Sequence, residues 1–132
     1  MIIARIDTFL FDGSCAEALE RAAAYIKAGA DGIMIHSRNT SGEDIKEFCQ
    51  AFSKAHPATP LFAVPSSYNQ FSEEELSGWG IKAVIYASDL LRSAYPAMRA
   101  SALSILENGR ALEAEESLCA SLEEIAKILP QA

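Results

Sequence analysis

Hydrophobic positions along the chain alternate between two periods. Residues 2 to 9, Ile-Ile-Ala-Arg-Ile-Asp-Thr-Phe, are apolar on both faces except at Arg5 and Asp7, which predicts a strand buried in a parallel sheet. Asp12-Gly13-Ser14 punctuates, and Ala16, Leu19, Ala22, Ala23 and Ile26 then recur at helical spacing up to Gly29, a residue suited to a helix C-terminus. The chain turns directly into a second strand, Gly32 to His36. Ser41-Gly-Glu-Asp44 predicts the next helix start, with Ile45, Phe48, Cys49 and Phe52 as its apolar face and His56-Pro57 as its stop. A third strand is expected over Leu61 to Val64. Ser72-Glu-Glu-Glu75 has capping-box spacing and opens a short helix through Leu76, which Gly78-Trp79-Gly80 ends before a fourth strand, Ile81 to Tyr86.

A longer helix begins near Asp89. Proline is best tolerated in a first turn, so Pro96 predicts that the continuous part runs from there to Asn108-Gly109. A last helix is expected over Ser117 to Leu129, with Leu118, Leu122, Ile125, Ile128 and Leu129 on one face. The chain thus reads as four strand-helix units in one α/β domain, 1–132, with a helical tail over 95–132. Four units are half of a closed eight-unit barrel. In parallel α/β folds ligands bind at the carboxyl ends of the strands, which directs attention to the polar residues at those ends.

Composition narrows the function classes. At 132 residues the chain fits one domain, and its 50% hydrophobic content is that of an ordinary globular protein. A formal net charge of -7 disfavours nucleic acid or an anionic membrane as partner. Cys15, Cys49 and Cys119 are odd in number and show no CxxC spacing, a reduced intracellular pattern, and their expected role is structural. No stretch approaches the ~20 apolar residues that span a bilayer. A cytoplasmic location is expected.

Several polar residues sit where apolar packing alone would not choose them. Arg5 either pairs with Asp7 inside the fold or binds an anion, for which its planar fork is well shaped. His36 ends an apolar strand as a hydrogen-bonded structural residue or as a ligand contact. Asp7 is a single carboxylate, and a hard cation needs several oxygen ligands, so no metal is assigned. Ser66, Ser67 and Tyr68 follow a strand-ending Pro65 and are either hydroxyl donors to an anion or ordinary loop composition. The run Glu73 to Glu75 reads as the charged first turn of a helix, and Trp79 as a packing anchor.

Four ordered segments carry a resemblance: IIARIDTF at the start, Ala28-Gly-Ala-Asp-Gly-Ile-Met-Ile-His-Ser37, Val64-Pro-Ser-Ser-Tyr68, and Gly80-Ile-Lys-Ala-Val-Ile-Tyr-Ala87 followed by Leu91-Arg92. Together they resemble the second half of the phosphoenolpyruvate mutase and phosphonopyruvate hydrolase family, within the isocitrate lyase superfamily. The resemblance implies strands five to eight of a (β/α)8 TIM barrel. It further implies magnesium in the family and chemistry on small α-keto acids or phosphonates, making or breaking a P–C or C–C bond. Arg5 and His36 match residues that hold the anionic end of the ligand, and Asp7 matches an acidic position beside them. The family's magnesium-binding aspartates and its mobile catalytic loop belong to the first half of the barrel, so no cofactor is expected from this chain alone. This chain also has Ala87-Ser88-Asp89 where relatives commonly continue Ala-Asn-His, and Ser66-Ser67 where they have paired threonines.

A sheet cut from a closed barrel has two edges with unpaired backbone groups. A homodimer or a complementary half-barrel is therefore expected as partner, with the tail as an interface or swapped element. The leading functional expectation is a half-barrel that keeps part of a keto-acid or phosphonate site without independent catalysis. If active, it would be a phosphonomutase, an isomerase, or a C–C or P–C lyase completed by another half. The alternative is a non-catalytic structural, regulatory or assembly module, a remnant or subunit of a split enzyme.

Overall fold

Strand and helix alternate as the switching periodicity predicts: β1 (Ile3–Ile6), α1 (Cys15–Lys27), β2 (Gly32–Ile35), α2 (Glu43–Ala55), β3 (Leu61–Ala63), α3 (Glu73–Gly78) and β4 (Ile81–Val84). The computed structural model describes residues 1–128. By its internal contacts the chain divides into two compact units, Met1–Ala87 and the segment from Ser88 onward. The first holds a four-stranded, all-parallel sheet in the order β1-β2-β3-β4. Among the described residues β1 and β4 each pair on one side only.

Local chemistry accounts for the helix boundaries. At α1 the Ser14 side chain accepts from Glu17 N–H while the Glu17 carboxylate accepts from Ser14 N–H, and Ser72 with Glu75 repeats this reciprocal cap at α3. Gly29 closes α1 at φ +100, with its own N–H donating to Ile26 and that of Ala30 to Tyr25. These are the two carbonyl contacts of a Schellman end. Gly80 occupies the same position after α3 at φ +101.

The strands are shorter than the apolar runs that encode them. The first ends at Ile6, and Thr8–Phe11 form one turn of 3-10 helix, with Leu10 N–H donating to the Asp7 carbonyl. The cause is tertiary: Phe9 turns back onto the core, its ring edge-on to Phe48 at 6.4 Å. At the other edge the ladder runs past Val84 by a single bond, Ile85 N–H to the Ala63 carbonyl. Pairing between β3 and β4 steps from Leu61↔Ile81 to Phe62↔Ala83, so Lys82 is an extra residue, a bulge.

One face of the sheet carries the core. Ile6, Ile33, Ile35, Leu61, Ala63 and Ile81 meet Ala18 and Ala22 of α1, Ile45, Phe48, Cys49 and Phe52 of α2, and Leu76 of α3. The apolar face of α2 is thus the one its spacing predicts. Trp79 anchors the turn after α3, packed edge-on to Phe71 at 4.7 Å with Lys46 Nζ 5.9 Å from its ring centre. Of the cysteines, Cys49 is buried, Cys15 half-buried and Cys119 exposed. Burial pushes the Cys49 thiol up to about 12, and Cys15 shifts the same way, so both stay protonated and unreactive at neutral pH.

The second unit is helical: α4 (Asp89–Asn108), α5 (Leu112–Ser117) and α6 (Leu122–Ile128). Here α4 starts at the expected Asp89 but is already continuous before Pro96 and runs straight through it. Pro96 has no N–H for the Arg92 carbonyl, but the preceding turn is held by Arg92 N–H on Ser88 and by Ser93 Oγ on the Asp89 carbonyl. The last helix begins at Leu122, later than the expected Ser117, and a short helix outside the expected range, α5, precedes it and is capped by Leu118. Ala114 is the buried contact of α5, which packs on α4. Leu129, expected on the last helix, lies outside the described residues. Among these, no helix is long and apolar enough to cross a membrane.

Candidate functional site

Side chains alternate across a strand, so the residues between the core positions point to the opposite face of the sheet. Arg5, Met34 and Phe62 stand in register there, with Ala83 beside Phe62. His36 lies two residues beyond Met34, on the same side, and its N–H donates to the Ile6 carbonyl at 3.1 Å, extending the β1–β2 ladder by one step. Arg5 and His36 are therefore diagonal neighbours across two paired strands.

Asp7 has left the strand, yet its carboxylate comes back to the same place. Arg5 Nε donates to Asp7 Oδ1 at 2.7 Å, and the pair is half exposed, at 49% and 39% for the two side chains. The structural alternative for Arg5 is thus real, but it uses only one edge of the guanidinium. Among the described residues its two terminal amino groups donate no hydrogen bond to protein.

His36 is half-buried, and its basicity is depressed. Burial is the largest cause and the Arg5 cation the next, partly offset by Asp7, with Arg38 adding to the depression. A depressed histidine is neutral at pH 7. Its Nδ1 is buried without a partner, as is the Thr8 hydroxyl. A cleft of about 440 Å3 runs beside this group along β1 and α1, lined by Arg5, Asp7, Thr8, Glu17, Arg21 and Tyr25. The arrangement offers a guanidinium fork and a neutral imidazole, converging from adjacent strands at their carboxyl ends.

The serines after β3 are less involved. Ser66 is exposed and Ser67 half-buried, and among the described residues neither hydroxyl hydrogen-bonds to Arg5, Asp7 or His36. Tyr68, by contrast, is wholly buried in the core, with its hydroxyl unpartnered and its ionisation strongly disfavoured by burial. As for magnesium, no three His, Cys, Asp or Glu side chains among the described residues come together as a group that could hold a metal ion. Asp7 is the carboxylate nearest in role, and Arg5 already occupies one of its oxygens. This donor set does not fit a magnesium site by itself.

Sequence reasoning passed over three residues. Arg38 adds a second cation near His36, and Ser37 and Asp44 are joined by a part-buried hydrogen bond from the Ser37 hydroxyl to the Asp44 carboxylate. The proximity of Arg38 to His36 could have raised it as a candidate. The seven-residue spacing of Ser37 and Asp44 crosses a loop and follows neither period.

Comparison with known proteins gives a consistent result. The family model described as phosphoenolpyruvate phosphomutase matches residues 1–106. The phosphoenolpyruvate phosphomutase of Tetrahymena pyriformis is 30% identical over 127 residues, which is 96% of this chain and 39% of that protein. The crystal structure of a phosphoenolpyruvate phosphomutase from Streptomyces platensis subsp. rosaceus superposes with a TM-score of 0.86 at 34% identity, covering 97% of this chain and 43% of that one. A phosphonopyruvate hydrolase in complex with oxalate and Mg2+ gives 0.81 at 32% identity, covering 97% and 44%. The chain thus spans less than half the length of the relatives it matches, and its four parallel units correspond to a half-barrel, strands five to eight of a (β/α)8 fold.

Proposed function

Since the chain belongs to the phosphoenolpyruvate phosphomutase family, we propose that it provides the half of a barrel site that grips the anionic end of a small α-keto acid or phosphonate. The observation that carries this reading is the pairing of Arg5 with His36. The guanidinium keeps its terminal amino groups available while Asp7 holds its Nε side at 2.7 Å, which fixes the fork in one orientation. His36 remains neutral beside it and adds a hydrogen-bonding nitrogen without adding to the cationic charge. Asp7 is the orienting carboxylate. Ser66 and Ser67 contribute secondary contacts from the next loop.

These residues do not catalyse alone. Enolate chemistry next to a breaking P–C or C–C bond needs strong stabilisation of charge developing on oxygen, and one arginine-bound carboxylate cannot assemble a cation for that purpose. The magnesium named with oxalate in the related hydrolase would be held by ligands from the other half of a barrel. A purely structural or assembly role is the second reading, favoured only by the Arg5–Asp7 pair itself.

Thermal unfolding with oxalate, phosphonopyruvate, oxaloacetate or phosphate tests the first reading. At ten times Kd a ligand bound only by the folded state stabilises it by about 1.4 kcal/mol, a rise in Tm of roughly 3–6 °C for a domain of this size. The rise is expected in the parent and absent in Arg5→Ala and His36→Ala. No rise in the parent, or one that survives Arg5→Ala, favours the structural module.

The partner follows from the edges. With β1 and β4 each paired on one side, and with Leu90, Leu91, Tyr95, Met98, Leu106 and Leu122 exposed on the helices from Ser88 onward, the chain associates with a second copy or a complementary half, and the tail over 95–132 serves as contact surface. Light scattering after size-exclusion chromatography is expected to return at least a dimer. A monodisperse, folded monomer defeats this.

A further inference from the structure

Directly after His36 the chain is tied down by an unusual polar contact. Ser37 is buried, at 1% exposure. Its hydroxyl donates to Asp44 Oδ2 and accepts from Asn39 N–H at 3.0 Å, so both its hydrogen-bonding capacities are used locally. Asp44 sits in the first turn of α2, where its other oxygen accepts from Ile45 N–H at 2.8 Å. That turn is itself wedged. Gly42 stands at φ +70, and a Cβ there would come within 2.7 Å of the Phe71 ring and 3.4 Å of Tyr68 Cβ. Gln70 Nε2 reaches across to the Thr40 carbonyl at 2.7 Å. The loop after β2 is thus fastened to α2 and to the loop after β3, and the fastening begins one residue beyond the imidazole.

We propose that Asp44 is a positioning residue for His36, acting through the Ser37 hydroxyl. The inference rests on the reading that His36 faces the ligand, but it concerns where the imidazole is held and not what it binds. Asp44 does not touch the anion group. It fixes the backbone on one side of His36, while the bond from His36 N–H to Ile6 fixes the other, and the ring is left half-buried beside Arg5 with Arg38 near. Removing Asp44 leaves the Ser37 proton without an acceptor in a buried setting, a state that the loop relieves by moving outward. The imidazole then gains water.

The test is an NMR titration of the two histidine rings in the full chain, without ligand. His56, at the far end of α2 with its ring tilted against that of Phe52 at 5.1 Å, is the internal reference. Asp44→Ala and Ser37→Ala are expected to raise the His36 midpoint towards that of a solvated histidine and to leave His56 unchanged. Asp44→Asn keeps an oxygen that accepts from Ser37, and is expected to hold the parent midpoint. Should Asp44→Ala fail to fold, Ser37→Ala with Asp44→Asn carries the same comparison. A His36 midpoint that stays put or falls in Ser37→Ala, or that moves in step with His56, overturns the proposal. A rise in these variants in a parent that oxalate does not stabilise would keep the positioning role and remove the anion site instead.

Discussion

Phe48→Ala is expected to cost about 3–5 kcal/mol of folding stability, the range for truncating a fully buried phenylalanine. The ring is 0% exposed, stacks on Phe52 at 5.6 Å and meets the edge of Phe9 at 6.4 Å. It therefore joins α2 to the turn that follows β1, two segments that no backbone ladder connects. Domain stabilities lie at about 5–15 kcal/mol, so this one change consumes a large part of the total. Urea unfolding should show a lower midpoint at an unchanged slope. A loss under about 1.5 kcal/mol, the level of a single deleted methylene, would mean that the surrounding rings close the cavity and that Phe48 is not the keystone its contacts imply. Because Phe9 lies next to Asp7 and Thr8, ligand-dependent stabilisation should weaken in this variant as well.

Gly80→Ala should follow closely, at about 2–5 kcal/mol, the sum of backbone strain and overpacking. Two separate costs meet at this residue. Its φ of +101 is a conformation that side-chain-bearing residues rarely adopt, and a Cβ there would overlap Ser53 Oγ and lie 3.0 Å from Ser53 Cβ on α2. Gly29 separates the two. It has nearly the same φ, +100, with nothing within 4 Å of an added Cβ. Gly29→Ala therefore measures the backbone cost alone, about 1–2 kcal/mol, and the difference between the two variants measures the clash. Adding Ser53→Ala to Gly80→Ala should recover part of that difference and none of the backbone part. Equal losses in the two glycine variants would show that α2 yields to the new methyl group.

What could be read from the sequence depended on how local its cause was. Ser14 with Glu17 and Ser72 with Glu75 start their helices through contacts three residues apart, and Gly29 and Gly80 end theirs through one backbone angle. Such causes are written in short words. The end of β1 was not, because Phe9 continues an apolar run and only Phe48, far along the chain, draws it into a turn. Pro96 misled for the opposite reason: its local penalty is genuine, but the turns on either side of it hold α4 together. The short α5 was missed because Gly109 reads as a stop, whereas burial of Ala114 and the Arg110–Glu113 pair restart the helix at once. At the candidate site, Arg5 and His36 stood out as polar residues in apolar strands, and the β1–β2 register places them on adjacent strands. Asp44 did not stand out, since its partner Ser37 lies across an irregular loop whose course no periodicity encodes.

The strands begin at Ile3, Gly32, Leu61 and Ile81, and their order in the sheet is their order in the chain. Each new strand can add to the last as it leaves the ribosome, without waiting for a distant segment, and synthesis at about 5–20 residues per second gives each addition a second or more. Loop closure is short at every step, so its entropic cost stays small. The growing sheet always presents its newest edge to the next segment. Each pairing among these four strands joins neighbours in the chain, so none of them has to wait for a distant segment before its place in the sheet is set.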